Sequence, residues 1–236
     1  MLHNEINVIA FDADDTLWVN EPMFTNNISK ICEMLAEYGD AETIESVLQK
    51  TQVGNIDVFG YGSKSFTLSM VETALAVSGG KAGGDLIQQI VNMGKDMNRH
   101  PIELIDGVEE VLQQLGDRFK LMMITKGDLV EQERKIHNSG LADYFSCIEV
   151  LSEKDESSYA KCLGHHGVNR EEFLMVGNSV KSDILPVINI GAQAVHIPFH
   201  TTWCHETVDC CDLEGKEFVT MSHACELLPV LLSDRD

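Results

Sequence analysis

From residue 120 onward the chain alternates short apolar runs with stretches of helical periodicity, and few folds accept that order. Apolar runs at 120–124, 147–150, 173–176 and 194–197 are separated by helical patterns at 128–139, 157–167 and 180–190. A further run at 7–11 opens the chain, and a strand at 218–220 with a helix at 222–232 closes it. Parallel strands need a long crossover, usually a helix, so this spacing predicts βαβ units and a doubly wound, parallel α/β sheet. The methionine-rich run at 121–123 alternates with nothing polar, as a strand buried on both faces should read.

Residues 20–100 break the alternation. They hold no convincing strand but four helical stretches, at 22–38, 41–53, 65–78 and 84–99. Turn chemistry separates them: Tyr38-Gly39-Asp40, Gly60-Tyr61-Gly62 and Ser78-Gly79-Gly80. The reading is a core made of 1–19 and 101–236, with a helical lobe of 20–100 inserted after the first strand. At 236 residues the chain is long enough for both.

In open parallel sheets ligands bind beyond the carboxyl ends of the strands, so the residues just after each apolar run are the informative ones. The first run, Val-Ile-Ala-Phe, leads into Asp12, Asp14, Asp15 and Thr16. The second leads into Thr125, Lys126, Gly127 and Asp128, and the third into Ser152, Glu153 and Lys154. The fourth leads into Gly177, Asn178, Ser179 and then Asp183. Helix capping alone accounts for residues such as Asp128 and Ser179. It accounts neither for two aspartates two positions apart nor for a lysine. Carboxylates at a strand mouth suit Mg²⁺, which takes oxygen ligands and is commonly shared with a substrate phosphate. One carboxylate can also attack phosphorus, with a metal and an ammonium group neutralising the charge, while a second moves protons.

These residues resemble the haloacid dehalogenase-like superfamily. Phe-Asp-Ala-Asp-Asp-Thr-Leu is similar to its D-x-D-x-T signature, and Thr125, Lys154 and the stretch from Gly177 to Asp183 fall in order as its later motifs. The likeness spans the chain, because the helical insert matches a C1-type cap on a Rossmann-like core. It implies that Asp12 is the nucleophile and a Mg²⁺ ligand. Asp14 would be the general acid and base, its carbonyl also on the metal. Thr125, with the amides of Lys126 and Gly127, and Lys154 would hold the phosphoryl group. Asn178 and Asp183 would supply the remaining metal ligands, with either of them the direct one. Three positions depart from the common pattern: Asp15 in place of glycine, Asn178 in place of aspartate, and Asp155 where proline often follows the lysine.

Asp14 sets the reaction class that the resemblance implies. Dehalogenases lack this second aspartate and phosphonate-cleaving relatives replace it, so the expectation is a Mg²⁺-dependent phosphatase acting on a small-molecule phosphomonoester. A sugar phosphomutase of the same architecture, or a non-catalytic phosphate-binding or regulatory protein, are the alternatives. In similar capped enzymes a loop like 59–66 reaches the leaving group, which makes Tyr61 and Lys64 candidate substrate contacts; an ordinary turn with a solvated lysine is the other reading.

Charge and cysteine content frame the rest. Lys and Arg total 17 against 38 Asp and Glu, a net charge of −21. That disfavours a nucleic-acid or anionic-membrane partner, and requires local cations wherever an anion binds. Seven scattered cysteines, Cys210-Cys211 among them, form no metal-type pair. His196, His200, His205 and Cys204 match no tetrahedral zinc spacing. No signal peptide and no run of transmembrane length is visible, so a reduced, cytoplasmic setting is expected.

Overall fold

The computed structural model describes residues 5–209 and 213–233, so Cys210 and Cys211 lie outside the described residues. The chain divides into two compact units. One runs up to Val19 and takes in Ile102–Lys126 and everything from Gln132 onward; the other is Asn20–Pro101 with Gly127–Glu131.

The first unit is built on six parallel strands: β1 (Val8–Phe11), β2 (Lys120–Lys126), β3 (Cys147–Leu151), β4 (Phe173–Gly177), β5 (Gln193–His196) and β6 (Val219–Thr220). Their order across the sheet is β3-β2-β1-β4-β5-β6. Successive connections leave β1 in opposite directions, so β1 lies at the switch point where such sheets bind ligands. Phe11 pairs with Met123 on one side and Val176 on the other, which places the ends of β1, β2 and β4 side by side. Thr125 pairs with Val150, extending the same rim to β3.

Both faces of the sheet are covered. Ile9, Phe11, Leu121, Met123, Leu174 and Val176 pack on one face with helix α5 (Val108–Gly116), while Val8, Ala10, Met122, Ile124, Phe173 and Met175 pack on the other with α7 (Glu156–His166). Period-two alternation sends neighbouring residues to opposite cores, so a strand between two cores must be apolar at every position. That is why β1 and β4 are buried throughout.

The expected helix at 128–139 is α6 (Leu129–Ser139), with Asp128 Oδ1 accepting from the Glu131 amide at 3.0 Å. α5 was not anticipated, although Val108, Val111, Leu112 and Leu115 have helical spacing and are all buried. The stretch 180–190 is not one helix. Val180–Ile184 forms a π-turn, and α8 (Leu185–Asn189) starts afresh with Pro186 in its first turn. Pro186 has no N–H to offer Ser182, whose carbonyl accepts from the Tyr159 hydroxyl at 3.1 Å instead. Likewise 222–232 splits into a 3₁₀ turn, Ala224–Glu226, and α9 (Leu227–Leu232).

The second unit is helical: α1 (Glu21–Met34), α2 (Ala41–Phe59), α3 (Ser63–Val77) and α4 (Gly84–Arg99). Ile31, Leu35, Ile44, Leu48, Phe66, Met70 and Ile90 form its own core. Asp40 caps α2 by accepting from the Thr43 amide at 2.8 Å. α2 passes through Gly54 to Phe59, beyond the expected end at 53, and stops at Gly60 with φ 71°. Gly62, φ 105°, must be glycine for a second reason: a Cβ there would lie 2.8 Å from Glu131 Oε2. That oxygen accepts from the Ser63 amide at 2.8 Å and hydroxyl at 2.7 Å, so a buried carboxylate caps α3. Among the described residues no helix is long and apolar enough to cross a membrane.

Candidate active site

Four adjacent strand ends of the sheet unit converge on one cluster. Asp12 follows β1 directly, its amide still in the ladder to the Val176 carbonyl at 2.9 Å. Its Oδ1 lies 2.5 Å from Lys154 Nζ, and its Oδ2 accepts from the Thr16 hydroxyl at 3.0 Å. Lys154 Nζ also reaches Asp183 Oδ1 at 2.7 Å. All three charged side chains are buried, so one ammonium group serves two carboxylates with almost no water. Burial pushes the Asp12 carboxyl well above the usual carboxylate range, with Lys154 opposing and Asp183 adding to the rise. Burial works against the charge on Lys154 too, but Asp12 and Asp183 outweigh it and hold the ammonium well above the usual lysine range. The cluster therefore carries more negative charge than its lysine balances.

Asp14 is held separately. Trp18 Nε1 donates to its Oδ1 at 2.6 Å, Lys135 Nζ stands 2.9 Å from both oxygens, and Gln132 Nε2 reaches Oδ2 at 3.1 Å. The same Gln132 amide donates to Thr125 Oγ1 and the Lys126 carbonyl, both at 2.9 Å. Gln132 and Lys135 sit three apart on α6, a spacing that puts them on one face. Neither was singled out in the sequence, nor was Trp18; their signal was an i, i+3 polar pair one turn into the helix after Thr125.

Lys126 points away from Thr125's neighbours into an acidic network. Its Nζ lies 2.9 Å from Glu206, 3.0 Å from Ser182 Oγ and 3.2 Å from Glu153. Glu206 Oε2 accepts from the Ser179 and Ser182 hydroxyls at 2.6 Å each. Burial would raise the Glu206 carboxyl, but Lys126 and the two hydroxyls hold it down at about 2. Glu206 comes from a 3₁₀ turn, Cys204–Glu206, inside the long segment after β5, where no periodicity marks it. What Lys126 keeps at the strand end is its backbone.

Asp183 is positioned by the π-turn. Its Oδ2 accepts from the Ser179 amide at 3.0 Å. The carboxylate lies so close to the end of β4 that a Cβ on Gly177 would stand 2.3 Å from Oδ2. Asn178 Oδ1 lies 3.4 Å from the Thr16 hydroxyl, which therefore spans Asp12 and Asn178. His196 Nε2 contacts the Asn178 carbonyl at 3.0 Å, and the His205 ring stacks near Trp203 with centroids 4.9 Å apart. In the helical unit, Lys64 Nζ stands 2.8 Å from Asp128 Oδ1 with half its side chain exposed, so it is neither simply solvated nor unpaired.

The donors gathered here are the oxygens of Asp12, Asn178 and Asp183, with excess negative charge among them. That set fits a hard divalent cation and offers nothing a soft metal prefers.

The model of haloacid dehalogenase-like hydrolases matches residues 6–191, which includes the ends of β1, β2, β3 and β4. The chain belongs to the haloacid dehalogenase-like hydrolase family. A crystal structure of a haloacid dehalogenase-like family hydrolase from Xanthomonas campestris shares 38% identity, with 84% of each chain covered and a TM-score of 0.80. The N-acylneuraminate-9-phosphatase of Mus musculus is 24% identical over 216 residues, 86% of this chain and 84% of that one. The 5-amino-6-(5-phospho-D-ribitylamino)uracil phosphatase YigB of Escherichia coli (strain K12) is 23% identical over 207 residues, 81% and 83% of the two chains.

Two of the departures from the family pattern now have physical reasons. Asp155 is the N-cap of α7: its Oδ1 accepts from the Ser158 amide at 2.7 Å and Ser158 Oγ accepts from the Asp155 amide at 2.8 Å. Asp15 has φ 61°, the one non-glycine residue in the left-handed region among the described residues, and its amide bonds to the Trp18 carbonyl at 2.7 Å. Aspartate tolerates that conformation better than branched residues do, and glycine tolerates it fully. Asp15→Val is expected to be less stable than Asp15→Gly by about 1–2 kcal/mol in urea titrations. Equal midpoints would remove the backbone explanation.

Proposed function

We propose that this protein is a Mg²⁺-dependent phosphatase that hydrolyses a small-molecule phosphomonoester through an aspartyl-phosphate on Asp12. The pair of carboxylates at the end of β1 carries the reading: Asp12 is buried against one ammonium group, while Asp14, two residues on, is oriented by Trp18, Gln132 and Lys135. A nucleophile and a proton carrier need this separation of roles. Both curated relatives are named as phosphatases, which supports the same class.

In the proposed cycle an Asp12 oxygen attacks phosphorus in line as the bond to the leaving oxygen breaks, and Asp14 gives that oxygen a proton. Thr125, the amides of Lys126 and Gly127, and the Lys154 ammonium bind the phosphoryl oxygens. Asp14, now a carboxylate, takes a proton from water as the water attacks the aspartyl-phosphate, releasing phosphate and restoring Asp12. Mg²⁺, held by Asp12, the Asp14 carbonyl, Asn178 and Asp183, would supply charge neutralisation between carboxylate and phosphate. Lys135 and Lys154 bring positive charge to the strand ends, beside Asp14 and Asp12, which is how a chain of net charge −21 accommodates an anion. Tyr61 and Lys64 of the helical unit are its candidate substrate contacts; a substrate anion would compete with Asp128 for Lys64.

A phosphate-release screen over sugar phosphates, nucleotides and small organic phosphates tests the reading. Release from at least one class is expected with Mg²⁺, falling to background in excess chelator and returning when Mg²⁺ is restored. No release from any class by folded, Mg²⁺-supplied protein would favour a binding module. Release undiminished by chelator would contradict the metal's part.

A further inference from the structure

At the sheet edge, away from the phosphate chemistry, β3 and α7 bring Cys147, Glu149 and His166 together. Cys147 and Glu149 are two apart on β3 and share a face, and His166 is in the last turn of α7. His166 Nε2 lies 3.1 Å from Cys147 Sγ and 2.6 Å from Glu149 Oε1, and those two atoms are 4.0 Å apart. One imidazole nitrogen has either one hydrogen, which the two contacts would have to share, or one lone pair, which serves the thiol and leaves the carboxylate facing it. A shared cation satisfies all three groups at once.

We propose that Cys147, Glu149 and His166 form a binding site for a zinc-class divalent cation, distinct from the oxygen-lined site at the strand ends. Bonds of about 2.3 Å to sulfur and about 2.0 Å to nitrogen and oxygen put tetrahedral ligand atoms about 3.3–3.5 Å apart. The three observed separations each lie within about 0.7 Å of that, an adjustment side-chain rotation can supply. Ligand type sorts the two metals: a thiolate and an imidazole favour zinc, whereas the all-oxygen set around Asp12 favours Mg²⁺. An open groove of about 530 Å³, bordered by Glu149, Ser152, Asp155, Ser158, Cys162 and His165, adjoins the trio at Glu149; solvent would fill the fourth position. Binding releases the thiol proton to solvent. The cation then ties β3 to the far end of α7, the two elements that flank Lys154 in the chain.

The test is a Co²⁺ titration of the metal-stripped protein in excess Mg²⁺, which keeps the strand-end oxygens supplied with the metal they prefer. One equivalent is expected to bind with a thiolate-to-cobalt charge-transfer band, and Zn²⁺ is expected to displace it. Cys147→Ser should abolish the band, and His166→Gln should weaken binding at least about tenfold. Circular dichroism checks that each variant folds, and His166→Gln decides the matter if Cys147→Ser does not. No thiolate band in the wild-type protein, a band undiminished in Cys147→Ser, or unchanged affinity in His166→Gln would overturn the site. The result is independent of whether the protein releases phosphate.

Discussion

Asp12→Asn is expected to lower phosphate release by at least about 10⁴-fold while leaving the fold unchanged. The amide is nearly the same size as the carboxylate, and its oxygen can still accept from Thr16, while Lys154 keeps Asp183 as a partner. What it loses is nucleophilicity, and with it the covalent intermediate. Asp14→Asn should behave differently. Loss of the proton carrier costs about 10²–10⁴-fold on an alkyl phosphate, whose leaving alkoxide needs a proton. The loss should be smaller on an aryl phosphate, whose leaving group departs without one. Turnover by Asp12→Asn near the wild-type rate would rule out Asp12 as nucleophile. Equal losses for both leaving groups in Asp14→Asn would rule out acid catalysis by Asp14.

The second large effect is on stability. Lys154→Met removes the one ammonium shared by Asp12 and Asp183 and leaves two buried carboxylates facing each other. Uncompensated buried charge of this kind costs about 3–5 kcal/mol, measurable by urea denaturation without divalent ions. Two further results follow from the same cause. Mg²⁺ should stabilise the variant more than the wild type, because the cation takes over part of the lysine's electrostatic role. Adding Asp183→Asn to Lys154→Met should recover part of the loss, as coupled neighbours do in a double-mutant cycle. If Lys154→Met is as stable as wild type without Mg²⁺, Lys154 does not compensate Asp12 and Asp183.

Much of the fold can be read from apolar patterning because the sheet lies between two cores. Residues 121–124 and 173–176 must be apolar at every position, and that makes them conspicuous. The helix at 108–116 is harder to read: it has nine residues, and Gly107 before it offers no side-chain cap to mark its start. The break at 184–185 depends on a missing N–H at Pro186 and on Tyr159, more than twenty residues away, taking the freed carbonyl. The strand-end residues are legible because the chain itself delivers them to one rim. Their supports are not: Lys135 meets Asp14 across 121 positions and Glu206 meets Lys126 across 80, and nothing local encodes either contact. Asp15 shows the opposite case, where a single backbone angle explains a residue that stands in place of glycine.

The covalent step on Asp12 is the central claim, and borohydride trapping tests it most directly. An acyl phosphate is reduced by borohydride to the alcohol, which would convert Asp12 to homoserine. The protein is mixed with a phosphomonoester it hydrolyses and Mg²⁺, quenched in borohydride, digested, and the peptide containing residue 12 sequenced by mass spectrometry. Homoserine at position 12, dependent on substrate, is the expected result. An unmodified Asp12 in protein that is releasing phosphate, or homoserine at another position, would contradict the account.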